Sequence, residues 1–321
     1  MLAAVYRRPG ASDVLSVEEV PQPEPGPGEV AVRLRVAGVN PTDWKTRGRK
    51  QPRTFQVPGQ DGAGDVVAVG EGVDPGRVGE RVWVWFAEAH GQWGTAAQVT
   101  VVPSGQAVAL PDGASYDLGA GLGIPAMTGW HCLFADGPLR GRTVLVAGGA
   151  GAVGNAAIAL AVSGGAHVVT TVGDDRSAEL ARAAGAHAVV DRHGPDLSGR
   201  VLAEAPDGVD RIVEVALGAN LALDLAVLRP RGVVSTYADD PLRDLPVRDL
   251  MVANATLAFV LVYGIGERAL ADAARGVSQA VAAQALPALP TVRFPLQDVA
   301  AAHDAVQSGG VRGKVLIDLP A

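Results

Sequence analysis

Cysteine is almost missing: Cys132 is the single one in 321 residues. It cannot close an intramolecular disulfide or build a four-cysteine structural zinc site, and reads as a small buried apolar residue. Charge of one sign is lacking too. Lys and Arg number 27 against 34 Asp and Glu, for a net charge of -7. That leaves no basic footprint for nucleic acid or anionic lipid, so neither is expected as a partner. The longest apolar run, Leu257 to Tyr263, falls far short of the about 18 residues that span a bilayer. The paired Arg7 and Arg8 arrive before any signal-type apolar stretch develops, so cytoplasmic residence is expected. What is present suffices for a core: 48% of residues are hydrophobic, and at about 150 residues per domain the length suggests two domains.

The pattern changes along the chain. Up to about Leu110, short strands are cut by Gly and Pro, and Pro21, Pro23, Pro25 and Pro27 prevent a helix. Glu29 to Gly38 alternates, with Val30, Val32, Leu34 and Val36 facing one way, as in a half-buried antiparallel strand. Further strands are expected at Asp65 to Val69, Arg81 to Phe86 and Ala96 to Val102. From about Tyr116 a helix over Leu118 to Phe134 leads into Val- and Ile-rich strands at Thr143 to Ala147, His167 to Val172, Ala188 to Val190, Arg211 to Val215 and Gly232 to Tyr237. Helices lie between them, the rhythm of parallel βαβ units. Helices near Glu267 to Gln284 and Gln297 to Ser308 precede a last strand, Lys314 to Leu319.

The strand Thr143 to Ala147 runs into Gly149-Ala150-Gly151-Ala152-Val153-Gly154, a G-x-G-x-x-G turn that opens an Ala-rich helix. The first glycine permits a tight turn, Gly151 lets backbone approach a pyrophosphate, and Gly154 lets helix pack on strand. The helix N-terminus offers unpaired N–H groups to phosphates. At the end of the second strand, where NAD-preferring sites carry an acid, stand Thr170 and Thr171. Gly173 opens the next turn, and Arg176 follows where it can meet a 2'-phosphate, which favours NADPH. Asp174 and Asp175 either hold a ribose diol or cap the following helix.

These residues, with Gly38-Val39-Asn40-Pro41-Thr42-Asp43-Trp44-Lys45, Pro58-Gly59-Gln60-Asp61-Gly62-Ala63-Gly64, Val69-Gly70, Gly79-Glu80-Arg81-Val82, Ala302-His303-Asp304-Ala305 and Gly313-Lys314-Val315, resemble the zinc-free quinone oxidoreductases of the medium-chain dehydrogenase/reductase superfamily, the zeta-crystallin-like branch. The resemblance covers nearly the whole chain. It implies an α/β protein in two parts: a GroES-like β-rich catalytic domain from residues 1–120 and 262–321, and a Rossmann domain with a doubly wound parallel sheet from 121–261. NADPH and substrate would share a cleft. Where zinc-dependent relatives carry a Cys and a His-Glu pair, this chain has Asn40-Pro41 and Gln60-Asp61, so no metal is expected. The histidines His90, His131, His167, His187, His193 and His303 show no ligand-type pairing and read as surface or packing residues. By family position Arg192 or Lys314 would help Arg176 at the 2'-phosphate, and Thr128 stands in a segment beside the cofactor, as either a ligand or a helix packing residue. The Asn-Pro-x-Asp-x-Lys pattern looks more like the branch that reduces alkenals and other enones, because many quinone reductases have a tyrosine where Lys45 stands.

The expected reaction is hydride transfer from NADPH to a quinone or an α,β-unsaturated carbonyl, leaving an enolate or phenolate that a few donors can hold. Asn40 is the candidate for contacting nicotinamide or substrate oxygen, Lys45 for the oxyanion, and Asp43 for holding the loop. Tyr237, at a strand end, lies where open α/β sheets bind ligands. Trp83, Trp85 and Trp93 either pack the β domain or wall a flat substrate. A homodimer through the Rossmann edge, with Leu257 to Tyr263 as edge strand, is expected. The reading of another class is a non-catalytic dinucleotide-binding structural or sensor protein.

Overall fold

A period of two fixes the first long strand: along Glu29–Gly38, Val30, Val32, Leu34 and Val36 are buried while Arg33 and Arg35 are exposed. The computed structural model describes residues 1–242 and 244–320, and every side chain among them but that of His90, whose expected packing role falls outside. It divides into two compact units, residues 1–124 with 288–321, and residues 125–287.

In the first unit the chain forms β1 (Leu2–Val5), β2 (Ser16–Glu19), β3 (Glu29–Gly38), α1 (Pro41–Arg47), β4 (Asp61–Val69), β5 (Arg81–Val84), β6 (Val99–Pro103), β7 (Ala107–Ala109) and α2 (Tyr116–Gly119). The second unit holds α3 (Met127–Phe134), β8 (Thr143–Ala147), α4 (Ala152–Ser163), β9 (His167–Val172), α5 (Asp175–Ala183), β10 (Ala188–Asp191), α6 (Leu197–Glu204), β11 (Val209–Glu214), α7 (Leu217–Val227), β12 (Leu228–Thr236), α8 (Val247–Ala253), β13 (Thr256–Phe259) and α9 (Glu267–Ala282). The chain then returns to the first unit with β14 (Thr291–Pro295), α10 (Val299–Gln307) and β15 (Lys314–Asp318).

The main sheet of the first unit runs β14-β15-β3-β4-β5-β7, with β6 also on β3. Strand β15 is antiparallel to β3, pairing Leu316 with Gly38, so both ends of the chain build this GroES-like unit. The sheet of the second unit runs β10-β9-β8-β11-β12-β13 and is parallel throughout. Leu145, Val169, Ile212 and Val234 from its central strands are inaccessible to solvent, as expected for a parallel sheet covered on both faces. Strand order reverses between β8 and β11, the switch point of a Rossmann sheet.

Three expectations need correction. The second unit ends near 287, not 261, because α9 packs on α3 and α4. The helix expected over Leu118 to Phe134 is broken into α2, a π-type turn at Leu122–Ala126 and α3, since Pro125 has no N–H for the helical ladder. The edge strand is Thr256–Phe259, and Val262–Gly264 coils into a 3-10 turn.

Candidate functional site

The turn after β8 assigns a separate task to each glycine. The positive φ of the tight turn, 70°, falls at Gly148, one residue before the expected position. Gly149 is needed for close packing, since a Cβ there would stand 2.2 Å from Thr170 Oγ1. Gly154 is needed likewise, with a Cβ 2.5 Å from the Gly148 carbonyl oxygen. Gly151 differs: its φ of -69° and ψ of 158° suit any residue, and a Cβ would meet only the Gly148 oxygen, at 3.5 Å. The protein therefore leaves open space above Gly151. The first helical bond of α4 is donated by Asn155 to the Gly151 carbonyl at 2.8 Å, so the N–H groups of Ala152, Val153 and Gly154 have no acceptor within the helix. An open backbone facing three unpaired donors fits the pyrophosphate of a dinucleotide.

Neighbouring strands complete the setting. Gly148 and Gly149 donate to the Thr171 carbonyl at the end of β9, while the Thr170 hydroxyl donates to Val146 O at 2.7 Å and serves the sheet. Asp174 caps α5 by accepting from Ser177 N at 2.7 Å, which supports the second of its two expected roles. Arg192 lies over Gly173, whose Cβ would come within 3.0 Å of the guanidinium carbon, and Arg176 is exposed on the first turn of α5. Tyr237 follows β12, its N–H donating to Glu214 O at 3.2 Å; burial pushes its phenol well above the ordinary tyrosine range. Thr128 is buried in α3, which packs on α4.

The first unit holds a second constellation. Asn40 precedes α1 and its backbone N–H donates to Asp43 Oδ2 at 2.7 Å, the loop-holding role expected of Asp43. The Asn40 side chain donates from Nδ2 to Asp61 Oδ2 at 2.7 Å. Its Oδ1 accepts from Lys314 Nζ at 2.6 Å, and the same ammonium reaches the Val39 carbonyl at 3.1 Å. Asp61 also accepts from Ile124 N at 3.0 Å. Asn40, Asp43, Asp61 and Lys314 are all at most 5% exposed. Burial pushes Asp61 up to about 6, against the pull of Lys314 and the Asn40 hydrogen bond. Asp43 is raised by burial and by Glu88, and burial takes Glu88 to about 7. Lys314 is lowered by burial, opposed by Asp61 and Asp43.

One expected role changes accordingly. Lys314 does not serve a 2'-phosphate, because its ammonium is buried and held by Asn40 and Val39. Lys45 Nζ lies 5.8 Å from the Trp44 ring centroid in the last turn of α1. The cation at Asn40 comes from 274 positions away in sequence, which no local spacing reveals. Trp83 and Trp85 are buried, and Trp93 packs edge-on to Phe55 at 5.5 Å, consistent with packing the β domain. His303 is buried and driven down to about 3 by burial and Arg47. The sequence reading also missed a buried acid pair at the end of β11: Glu214 accepts from Asn220 Nδ2 at 2.9 Å, and Asp224 is pushed up to about 8 by burial and by Glu214. Among the described residues no cluster of three or more His, Cys, Asp or Glu side chains is arranged to hold a metal ion, and no helix is long and apolar enough to cross a membrane.

Known proteins align with both units. A family model described as alcohol dehydrogenase GroES-like domain matches residues 26–112, and one described as zinc-binding dehydrogenase matches residues 152–278. The quinone oxidoreductase of Rattus norvegicus is 28% identical over 317 residues, covering 96% of this chain and 94% of its own. Among solved structures, an NAD-dependent alcohol dehydrogenase aligns over 100% of both chains at 25% identity, with a TM-score of 0.90. A mycobacterial protein complexed with NADPH aligns over 99% of both at 26% identity, with a TM-score of 0.84. One family description mentions zinc, yet here the cluster around Asn40 and Asp61 already contains an ammonium, whose charge opposes a second cation.

Proposed function

From the premise that the chain belongs to the quinone-oxidoreductase branch of the medium-chain dehydrogenase/reductase superfamily, and is an oxidoreductase, we propose that it transfers hydride from NADPH to a quinone or to the β-carbon of an α,β-unsaturated carbonyl, without a metal. The observation that carries this reading is the buried Asn40 amide. Fixed between Asp61 and Lys314, it keeps a second Nδ2 hydrogen to donate to an oxygen that gains negative charge.

When bound, a reduced nicotinamide supplies the hydride. The protein's own residues do the rest. The open backbone at Gly151 and the N–H groups of Ala152, Val153 and Gly154 hold the pyrophosphate, Arg176 and Arg192 meet the 2'-phosphate, and Thr128 and Tyr237 line the cofactor. Asn40 donates to the carbonyl oxygen of the acceptor and so stabilises the enolate or phenolate. Oxidation of a simple alcohol would need a free general base. In this reading Asp43 accepts from the Asn40 N–H and Asp61 from Asn40 Nδ2 and Ile124 N, so both are assigned to holding the loop and the amide, not to proton abstraction. We place the enzyme in the cytoplasm, acting on a small molecule.

The test is a screen of NADPH oxidation against quinones, enones and alkenals, before and after exhaustive chelation, beside oxidation of simple alcohols with the oxidised cofactor. Turnover of the conjugated carbonyls that survives chelation is expected. Good alcohol oxidation with no reduction of these acceptors, or activity lost with stoichiometric zinc, would overturn the proposal.

Cofactor choice gives a separate expectation. Arg176→Ala and Arg192→Ala should each weaken NADPH by about 10- to 100-fold, the loss of a hydrogen bond to a charged group, and leave NADH almost unchanged. Equal losses for both cofactors in titrations, or a parent preference for NADH, would move the assignment to Asp174 and the ribose hydroxyls.

The oligomer is expected to be a dimer through the β13 edge. Phe259 and Leu261 are 71% and 69% exposed there, and Met251 and Val252 on α8 are 64% and 68% exposed, an apolar surface that an isolated sheet edge does not normally leave uncovered. Light scattering at micromolar concentration checks it, and a monomer would count against it.

A further inference from the structure

We propose that Lys314 is a positioning residue for the reaction: its ammonium fixes which end of the Asn40 amide faces Asp61 and thereby presents the remaining Nδ2 hydrogen to the acceptor oxygen. The inference rests on the proposed function and deepens it.

An asparagine amide has two faces of similar shape and opposite hydrogen-bonding character. Rotated by half a turn, Asn40 would aim Oδ1 at the Asp61 carboxylate and Nδ2 at the Lys314 ammonium. Both contacts would then be repulsive, acceptor against acceptor and donor against donor. Lysine can only donate and an ionised carboxylate can only accept, so the pair admits one orientation. The geometry is tight, at 2.6 Å to Lys314 and 2.7 Å to Asp61, and all three residues are at most 5% exposed. Among the described residues Nδ2 has Asp61 as its one partner, which leaves one N–H without an acceptor in the protein.

Lys314 is itself held. It follows directly on Gly313 at the start of β15, and its N–H donates to the Pro290 carbonyl at 2.8 Å. Its stem runs beside Gly38, where a Cβ would stand 3.0 Å from Lys314 Cε, and its head reaches the Val39 carbonyl. A side chain anchored at both ends has few alternative rotamers, so the orientation that it imposes on Asn40 is rigid.

Steady-state kinetics of the full-length protein with NADPH and a reducible quinone or enone test this through a double-mutant cycle. Lys314→Met should lower kcat by about 10- to 100-fold, the range expected when a reacting group is misplaced by about an ångström, with little change in NADPH affinity. In an Asn40→Ala background the same substitution should change kcat less than about 3-fold, because there is no amide left to orient. Losses that multiply in the double variant would show that Lys314 acts independently of Asn40 and would overturn the proposal. A readout that needs no turnover is the side-chain amide resonance of Asn40, identified by its disappearance in Asn40→Ala. Its slow solvent exchange should collapse in Lys314→Met, and unchanged exchange would also overturn the proposal. If the parent reduces no quinone or enone, the proposed function fails while the amide readout still decides the role of Lys314. Should Lys314→Met not fold, Lys314→Gln, whose amide can accept as well as donate and so no longer dictates one orientation, replaces it in both measurements.

Discussion

Gly151→Val is expected to weaken NADPH binding by roughly 100-fold or more, equivalent to about 2.7 kcal/mol, while leaving the thermal midpoint of the free protein almost where it was. The first part follows if the space above Gly151 is where the pyrophosphate lies, because two methyl groups would fill it. The second follows from the backbone: Gly151 is extended, with a negative φ, a conformation that β-branched residues favour. Its Cβ would meet only the Gly148 oxygen, at 3.5 Å. Gly154→Val makes the contrast, since a Cβ there would be driven to 2.5 Å from that same oxygen, and this variant should lose stability as well as affinity. Cofactor titration and thermal melts of the two variants separate the effects. If Gly151→Val binds NADPH as tightly as the parent, the dinucleotide lies elsewhere.

Asn40→Asp should lower turnover about 100- to 1,000-fold at alkaline pH, the loss associated with one donor to a developing oxyanion. The substitution preserves size and removes the donor. It also sets a second carboxylate against Asp61, whose own affinity for protons is already raised to about 6 by burial. Two carboxyl groups in contact cannot both ionise readily, so the pair retains one proton to a higher pH than either would alone. The shared proton lies between the two carboxyl groups, so a donor to the acceptor oxygen appears only when further acidification loads a second proton. The deficit should therefore shrink on acidification, giving the variant a kcat that rises as pH falls relative to the parent. A kcat equal to that of the parent at alkaline pH, or a deficit of the same size at every pH, would show that the Asn40 donor is not what the reaction needs.

The sequence carried local structure well and distant structure poorly. Strands β3, β8 and β9 were readable to the residue, because alternation and apolar runs bounded by glycine are properties of neighbouring positions. The broken helix before β8 was also local, and Pro125 was the signal that should have ended it. The end of the Rossmann unit was misjudged because α9 is amphipathic and could cover either unit. Only its packing on α3 and α4 decides between them. In the site, the order of glycines announced a dinucleotide turn, but which glycine needs the positive φ depends on how the strand exits, and it proved to be Gly148. Asn40 and Asp43 could be singled out from their loop. Lys314 could be noticed but not placed, since its contact with Asn40 arises only when β15 pairs with β3.

The return of the chain to its first unit also fixes an order of assembly. Residues 125–287 form one continuous unit and can close on themselves as soon as they have been synthesised, whereas Asn40 waits for a partner 274 positions later. At about 5 to 20 residues per second of synthesis, that wait is roughly 15 to 55 seconds. Throughout it β3 lacks β15 on one flank, and Asp43 and Asp61 have no cation beside them to offset their charge. A nascent chain can thus possess a finished glycine turn while the Asn40–Lys314 contact is still unmade, and the two become available together only once β15 has emerged.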